Sequence, residues 1–273
     1  VNADSWKITA QRNPCLLSYG ANLPSKDSEC QPNTTRPGIA LIGDSHAAAL
    51  RASVSGYALR QDKPLYQLTK ASCPFLIGAT RVVNQVPGHA QQCINFNQEV
   101  LQMVMSDKID EVVISAYWAS GMSLLPGAGF REVGHPEKSN LEALQAGMDR
   151  VIAQLKQAGK KVTVIEDAPS VEVDPLRYSN NRNMPLRREL SAWLGKWESP
   201  PLLSERTKLF QFPEEAVEKL LQSYKQQGVR VLSLRENLCN EQGCMITSGG
   251  LPLYYDNNHL SPAGGDIALG KNW

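Results

Sequence analysis

From residue 38 onward, short apolar runs alternate with segments of helical period. Gly38-Ile39-Ala40-Leu41-Ile42 is an apolar run closed by Gly43-Asp44-Ser45, the pattern of a buried strand entering a tight turn. Residues 46–61 place Ala49, Leu50, Val54, Tyr57 and Ala58 at helical spacing. Further strands are predicted over residues 64–68, 111–117, 161–166 and 229–234, with helices near 94–106, over 139–158 and over 213–227. Ser139 and Glu142 fit a capping box that opens the second of these helices, and Gly159 suits the position just past its end. A helix also begins at Pro262, a residue suited to a first helical turn. Strands that alternate with helices cannot be joined by hairpins, so they predict a parallel sheet with right-handed crossovers and helices on both faces. The fold class read from this pattern is α/β, a three-layer α/β/α sandwich around a five-stranded parallel sheet, flavodoxin-like in outline.

Residues 1–37 break the pattern. They carry Pro14, Pro24, Pro32 and Pro37 and read as a loop-rich extension lying over the domain. The chain has 273 residues, enough to bury a large core, and no linker strong enough to divide it, so one domain is expected. Lys and Arg total 28 against 27 for Asp and Glu, which leaves no electrostatic footprint for nucleic acid. Hydrophobic residues make up 42% of the chain and charged residues 20%, which excludes a disordered tail and a membrane bundle. Residues 112–130 hold no charge, but Pro126 and several glycines and serines make them too polar for a membrane span. The chain opens on Val1 with no apolar leader, as a mature or excised fragment would.

Six cysteines fall as sequence neighbours: Cys15 with Cys30, Cys73 with Cys93, and Cys239 with Cys244. No histidine stands at metal-ligand spacing from any of them, so a zinc site is not expected. Pairing of neighbours is the simplest disulfide framework, and each pair would close a loop rich in Pro, Gly or Asn. Such crosslinks persist in oxidising compartments, which places the chain outside the cytoplasm. Buried free thiols in a cytosolic protein are the alternative.

Two motifs carry candidate chemistry. In parallel sheets, sites form at the carboxyl ends of the strands. There Ser45 sits on a sharp turn that would expose its hydroxyl near free N–H groups. Its plainer role is that of a helix N-cap. Asp256-Asn257-Asn258-His259-Leu260-Ser261 spaces a carboxylate three residues before an imidazole, so one loop can hold a base and the group that orients it. A capped helix start with an incidental histidine is the plainer reading. Chance gives Gly-Asp-Ser about 0.07 times and Asp-x-x-His about 0.16 times in this composition, so both together arise in about one chain in a hundred.

Gly43-Asp44-Ser45 and Asp256-x-x-His259-Leu260-Ser261 resemble the first and last blocks of the SGNH (GDSL-like) hydrolases. Residues 38–270 are most similar to the extracytoplasmic SGNH domain at the C-terminus of acyltransferase-3 membrane proteins, the bacterial glycan O-acetyltransferases. His46 after the serine, Cys73-Pro74 after the second strand, Trp118 after the third and the Cys239–Cys244 couple point to that subgroup. The resemblance implies a single SGNH-like domain, 1–273, with a disulfide-closed extension, 1–37. It implies a periplasmic location and a fused N-terminal transmembrane domain that delivers the acyl donor. It implies a serine O-acetyltransferase with a Ser45, His259, Asp256 triad, no cofactor, and a cell-envelope glycan such as O-antigen as acceptor. A carbohydrate O-acetyl esterase with the same triad and a non-catalytic glycan-binding or docking module are the alternatives. General SGNH enzymes supply oxyanion donors from a Gly after the second strand and a Gly-x-Asn-Asp block after the third. Here those positions read Lys70-Ala71-Ser72-Cys73 and Ile114-Ser115-Ala116-Tyr117-Trp118, which leaves the backbone N–H groups of Ser45 and Ser72 as the expected donors.

Other residues are expected in supporting roles. Asp44 braces the turn, His46 packs or lines the substrate, and His89 and His135 lie on surface loops. Arg177, Arg182, Arg187 and Arg188 read as a solvated basic face, with contact to an anionic glycan or another domain as the alternative, and Trp193 and Trp197, at helical spacing, read as core or rim packing, with stacking on sugars as the alternative.

Overall fold

In the computed structural model, the described residues are 13–123, 125, 127–171, 190, 193–194, 206–207, 214–270 and 273. The four arginines and Trp197 lie outside them. The described residues fall into two compact units: those of 13–167 with 214–233 form one, and those of 168–207 and 234–273 the other.

The first unit is built on a parallel sheet of six strands in the order β1-β3-β2-β5-β7-β9. These are β1 (Leu16–Leu17), β2 (Gly38–Gly43), β3 (Leu65–Lys70), β5 (Ile109–Ser115), β7 (Lys161–Ile165) and β9 (Arg230–Leu232). All six residues of β2 are buried, as its central place requires. Five strands answer to the sequence pattern. The sixth, β1, comes from the extension, where a two-residue strand has no periodicity to reveal it. Antiparallel β4 (Ala79–Val82) and β6 (Gly129–Glu132) form a separate ribbon, also unread because its partners lie far apart in the chain.

Alternation along the strands sends Ala40, Ile42, Leu68, Val112, Ile114 and Val164 to one face. There they meet three helices: α3 (His89–Val104), α4 (Asn140–Gln157) and α5 (Glu214–Ser223). On α4, Ala143, Leu144, Gly147, Met148, Val151, Ile152 and Leu155 recur at helical spacing and are buried. Ser139 Oγ accepts from Glu142 N, and the Glu142 carboxylate accepts from Ser139 N at 2.8 Å, so the capping box is complete. Gly159, at φ +70°, ends the helix as expected. The opposite face is covered by α1 (Ser45–Ala49) and α2 (Arg51–Arg60), two helices where the sequence predicts one. Leu50, with ψ −1°, interrupts them.

Two further boundaries move for physical reasons. Helix α3 starts at His89, not near residue 94, because Gly88 takes a left-handed conformation (φ +81°) that lets the chain enter the helix early. Strand β5 ends at Ser115, because the N–H groups of Tyr117 and Trp118 bond to carboxylates instead of a neighbouring strand.

The second unit holds α6 (Arg235–Leu238), a three-stranded sheet of β10 (Cys239–Asn240), β11 (Gly243–Met245) and β8 (Arg206–Thr207), a ribbon of β12 (Thr247–Ser248) and β13 (Leu251–Pro252), and α7 (Pro262–Leu269). Gly264 packs so closely that a Cβ there would lie 1.9 Å from Leu253 O. Trp193 is 82% exposed, so it does not pack as its spacing with Trp197 suggests. Disulfides join Cys15 to Cys30, Cys73 to Cys93 and Cys239 to Cys244, as neighbour pairing predicts.

Candidate active site

Strand β2 ends in a turn that only glycine can make. Gly43 has φ +142°, and a Cβ there would sit 1.7 Å from Ser115 O. Asp44 follows, 1% exposed. Its Oδ1 accepts from His46 N at 2.9 Å, capping α1, and its Oδ2 accepts from Tyr117 N at 3.0 Å. Asp44 therefore braces the turn and is the N-cap, and Ser45 is the first helical residue, half-buried at the sheet's carboxyl edge. The ring of His46 is buried and stacks on Tyr117 with centroids 4.5 Å apart, in keeping with a packing role.

Ser72 reaches the same edge on the neighbouring strand. Gly43 pairs with Thr69, so the turns after β2 and β3 lie side by side. Ser72 has φ +54°, the left-handed conformation that glycine adopts without strain. Its amide has no hydrogen-bond partner among the described residues, whereas the flanking amides are engaged: Ala71 N donates to Leu17 O at 2.8 Å and Cys73 N to Lys70 O at 3.1 Å. The Ser72 hydroxyl lies 2.9 Å from Tyr19 Oη, and its carbonyl lies 3.0 Å from His89 Nε2.

His89 is thus fully buried, contrary to the surface position expected from its Gly/Pro-rich neighbours. The Cys73–Cys93 crosslink draws the start of α3 onto the Ser72 turn. A carbonyl only accepts, so Nε2 carries the proton and donates. Burial pushes the His89 pKa down, the charges of Lys70 and Arg81 add to that lowering, and the bond His89 donates to Ser72 O opposes it. Lys70, itself buried, has its pKa lowered by desolvation and donates to Ser18 O at 3.0 Å. His135 is exposed, as expected.

After β5 the amides of Tyr117, Trp118 and Ala119 are all engaged. Tyr117 N is held by Asp44. Trp118 N and Ala119 N donate to the two oxygens of Asp167 at 2.7 and 2.9 Å. Trp118 Nε1 donates to Ile165 O at 2.9 Å, locking the buried indole. Asp167 was missed in the sequence, although an acidic residue just past the end of a parallel strand is the signal that would have found it.

In the second unit, Asp256 and His259 share one tight loop. Tyr254 bridges to Leu260, and Tyr255 N donates to His259 O at 2.8 Å. Asp256 Oδ1 accepts from Asn258 N at 2.9 Å and His259 N at 2.7 Å, and Oδ2 lies 2.7 Å from His259 Nδ1. Ser261 closes the loop. Its Oγ accepts from Gly264 N at 3.1 Å, capping α7, and donates to Pro252 O at 2.7 Å. Burial opposes ionisation of Asp256. The hydrogen bond and charge of His259, with the two backbone donors, outweigh it and hold the carboxyl at about 2. A carboxylate facing Nδ1 fixes the proton there, so the lone pair of the ring is on Nε2, the nitrogen suited to act as a base. Among the described residues, no group of His, Cys, Asp or Glu is arranged to hold a metal ion.

A family model described as the SGNH domain (fused to AT3 domains) matches residues 13–268. The periplasmic domain of a lipopolysaccharide acetyltransferase from Salmonella ser. Paratyphi A is similar over 98% of this chain and 94% of its own, with a TM-score of 0.61 and 19% identity. That likeness is one of fold. A GDSL-like lipase from Bacteroides thetaiotaomicron aligns over 98% of this chain and 95% of its own, with a TM-score of 0.45 and 14% identity. No curated protein matches the chain in sequence. The family match runs from β1 into α7, and the protein therefore belongs to the family of SGNH domains fused to AT3 domains.

Proposed function

We propose that this chain is the extracytoplasmic catalytic domain of a glycan O-acetyltransferase, with Ser45 as nucleophile, His259 as base and Asp256 as the group that orients it. The observation that carries the reading is the Asp256–His259 pair, held at 2.7 Å with Nδ1 protonated, in a chain that also ends its first long strand in Gly-Asp-Ser. The family model spans both compact units, which supports treating residues 1–273 as one working domain. Three disulfides support an oxidising compartment, and the periplasmic relative supports the same location.

In the first half-reaction His259 Nε2 takes the Ser45 hydroxyl proton while Oγ bonds to the acetyl carbon. The carbonyl π pair moves onto oxygen, where the N–H groups of Ser45 and Ser72 stabilise the negative charge. The tetrahedral adduct collapses, the bond to the leaving group breaks, and that group takes the proton from His259. In the second half-reaction a sugar hydroxyl gives its proton to His259 and attacks the acetyl-serine, the bond to Oγ breaks as the adduct collapses, and Ser45 Oγ takes that proton from His259. Such a sequence predicts ping-pong kinetics. The acetyl donor comes from the fused AT3 domain, and the acceptor is a cell-envelope glycan such as O-antigen.

The test uses the full-length protein in cells. Ser45→Ala and His259→Ala should each abolish acetylation of the envelope glycan, read by mass spectrometry of the polysaccharide. Undiminished acetylation in either variant refutes the triad. Loss of acetate to water with no transfer to sugar would assign the same triad to an esterase. Retained glycan binding with no labelling of Ser45 by a fluorophosphonate would assign a docking module.

A further inference from the structure

The Ser72 turn is clasped from two sides by groups that the acyl-transfer chemistry does not consume. On one side is the N-terminal extension. Leu17 O takes the Ala71 amide, Ser18 O takes the Lys70 ammonium, and Tyr19 Oη meets the Ser72 hydroxyl at 2.9 Å. On the other side is the start of α3, where His89 Nε2 holds the Ser72 carbonyl at 3.0 Å and Cys93 is crosslinked to Cys73. The two sides also meet each other. The Tyr19 and His89 rings pack edge to face with centroids 5.0 Å apart, and Gly20 N donates to Gln92 Oε1 at 2.8 Å.

Ser72 needs this clasp. A left-handed conformation is strained for a residue with a Cβ, and such residues persist where the surroundings over-determine them. Both the side chain and the carbonyl of Ser72 are tied, while its amide alone is left without a partner among the described residues. An untied amide at a strand end beside Ser45 is placed to serve a transient charge. On the other flank the amides of Tyr117, Trp118 and Ala119 are already engaged.

We propose that Tyr19 and His89 are positioning residues that fix the left-handed Ser72 turn and thereby aim its amide at the oxygen of the acyl group on Ser45. The proposal rests on the Ser45 reading above. It assigns the extension a part in catalysis that no strand-end motif reveals. Tyr19 acts through the Ser72 hydroxyl, and His89 acts through the Ser72 carbonyl.

The experiment measures fluorophosphonate labelling of Ser45 in the purified chain, separating the maximal inactivation rate from the half-saturating concentration. Tyr19→Phe should lower the maximal rate about tenfold and His89→Ala about a hundredfold, because a misaimed donor approaches a lost one. The half-saturating concentration should stay within about twofold in both. His89→Gln, whose amide can still donate to a carbonyl, should recover most of the rate. Glycine at 72 keeps the amide, relieves the strain and removes the hydroxyl, so Tyr19→Phe should cost nothing further in a Ser72→Gly background. An equal cost of Tyr19→Phe in both backgrounds overturns the proposal, as does an effect on half-saturation alone. If His89→Ala fails to fold by thermal melting, the Tyr19 cycle and His89→Gln still decide. Absence of Ser45 labelling in the unmodified chain is a different failure, since it refutes the acyl-serine reading itself.

Discussion

Single atoms set the geometry at the carboxyl edge. Asp44 spends one oxygen on His46 N and the other on Tyr117 N, so asparagine is not a conservative replacement. Its oxygen would replace only one of the two acceptor atoms, and its NH2 would face the other amide. Asp44→Asn should cost about 1–3 kcal/mol, read as a lower urea midpoint. Gly43→Ala should cost more, about 2–4 kcal/mol, because the backbone is left-handed and the added methyl would press on Ser115 O. Asp256→Asn should leave the fold intact yet lower kcat by about a thousandfold or more, since an amide no longer selects the Nδ1–H tautomer of His259. The residue scale is also where the sequence spoke most clearly. Asp256 and His259 meet within one loop, so their spacing already contained their contact. His89 read as a surface residue because its contact with Ser72 spans a loop closed by a crosslink, and the flanking Gly88 and Pro87 carry no trace of it.

Elements were legible to the extent that their cues are local. Ser139-x-x-Glu142 and Gly159 marked both ends of α4 because a cap is made by neighbours in the chain. Ser139→Ala should therefore cost about 1 kcal/mol in chemical denaturation. Strands β1, β4 and β6 went unread because two to four residues give no periodicity, and what makes them strands is a partner elsewhere. The end of β5 was placed two residues late for a related reason. The run remains uncharged through Tyr117, and the carboxylates of Asp44 and Asp167 reveal that the backbone has left the ladder. Crosslinks act at this scale too. Replacing Cys73 and Cys93 together by Ser should cost about 3 kcal/mol through the unfolded chain alone, measured by urea midpoint.

The whole molecule should respond to acid in a defined window. Asp256 is held at about 2 against an ordinary 3.8. Glu132 is held at about 2 against 4.5, through bonds from Lys138 and Arg150. A carboxyl whose folded pKa is depressed stabilises the fold fully above its unfolded value and loses that contribution as pH falls through the folded one. Stability should therefore decline from about pH 4.5 toward pH 2. The decline should be shallower in a Glu132→Gln, Asp256→Asn double variant, as urea titrations across that range would record. Parallel order, helices on both faces and the disulfide pairing were all readable at this scale, because the alternation of runs and the cysteine spacing are global patterns.

The clasp around the β3 turn bears on where this polypeptide can be cut. A version begun at Gly38 would retain every long strand and both sequence motifs, and would pass for a minimal domain. It would also strip the edge of β3. Gln67 N, now bonded to Cys30 O, would face solvent, the Thr69 hydroxyl would lose Cys15 O, and the Lys70 ammonium would lose Ser18 O. Such a truncation would fold around a hydrated margin and hold its serine in place while its turnover faded.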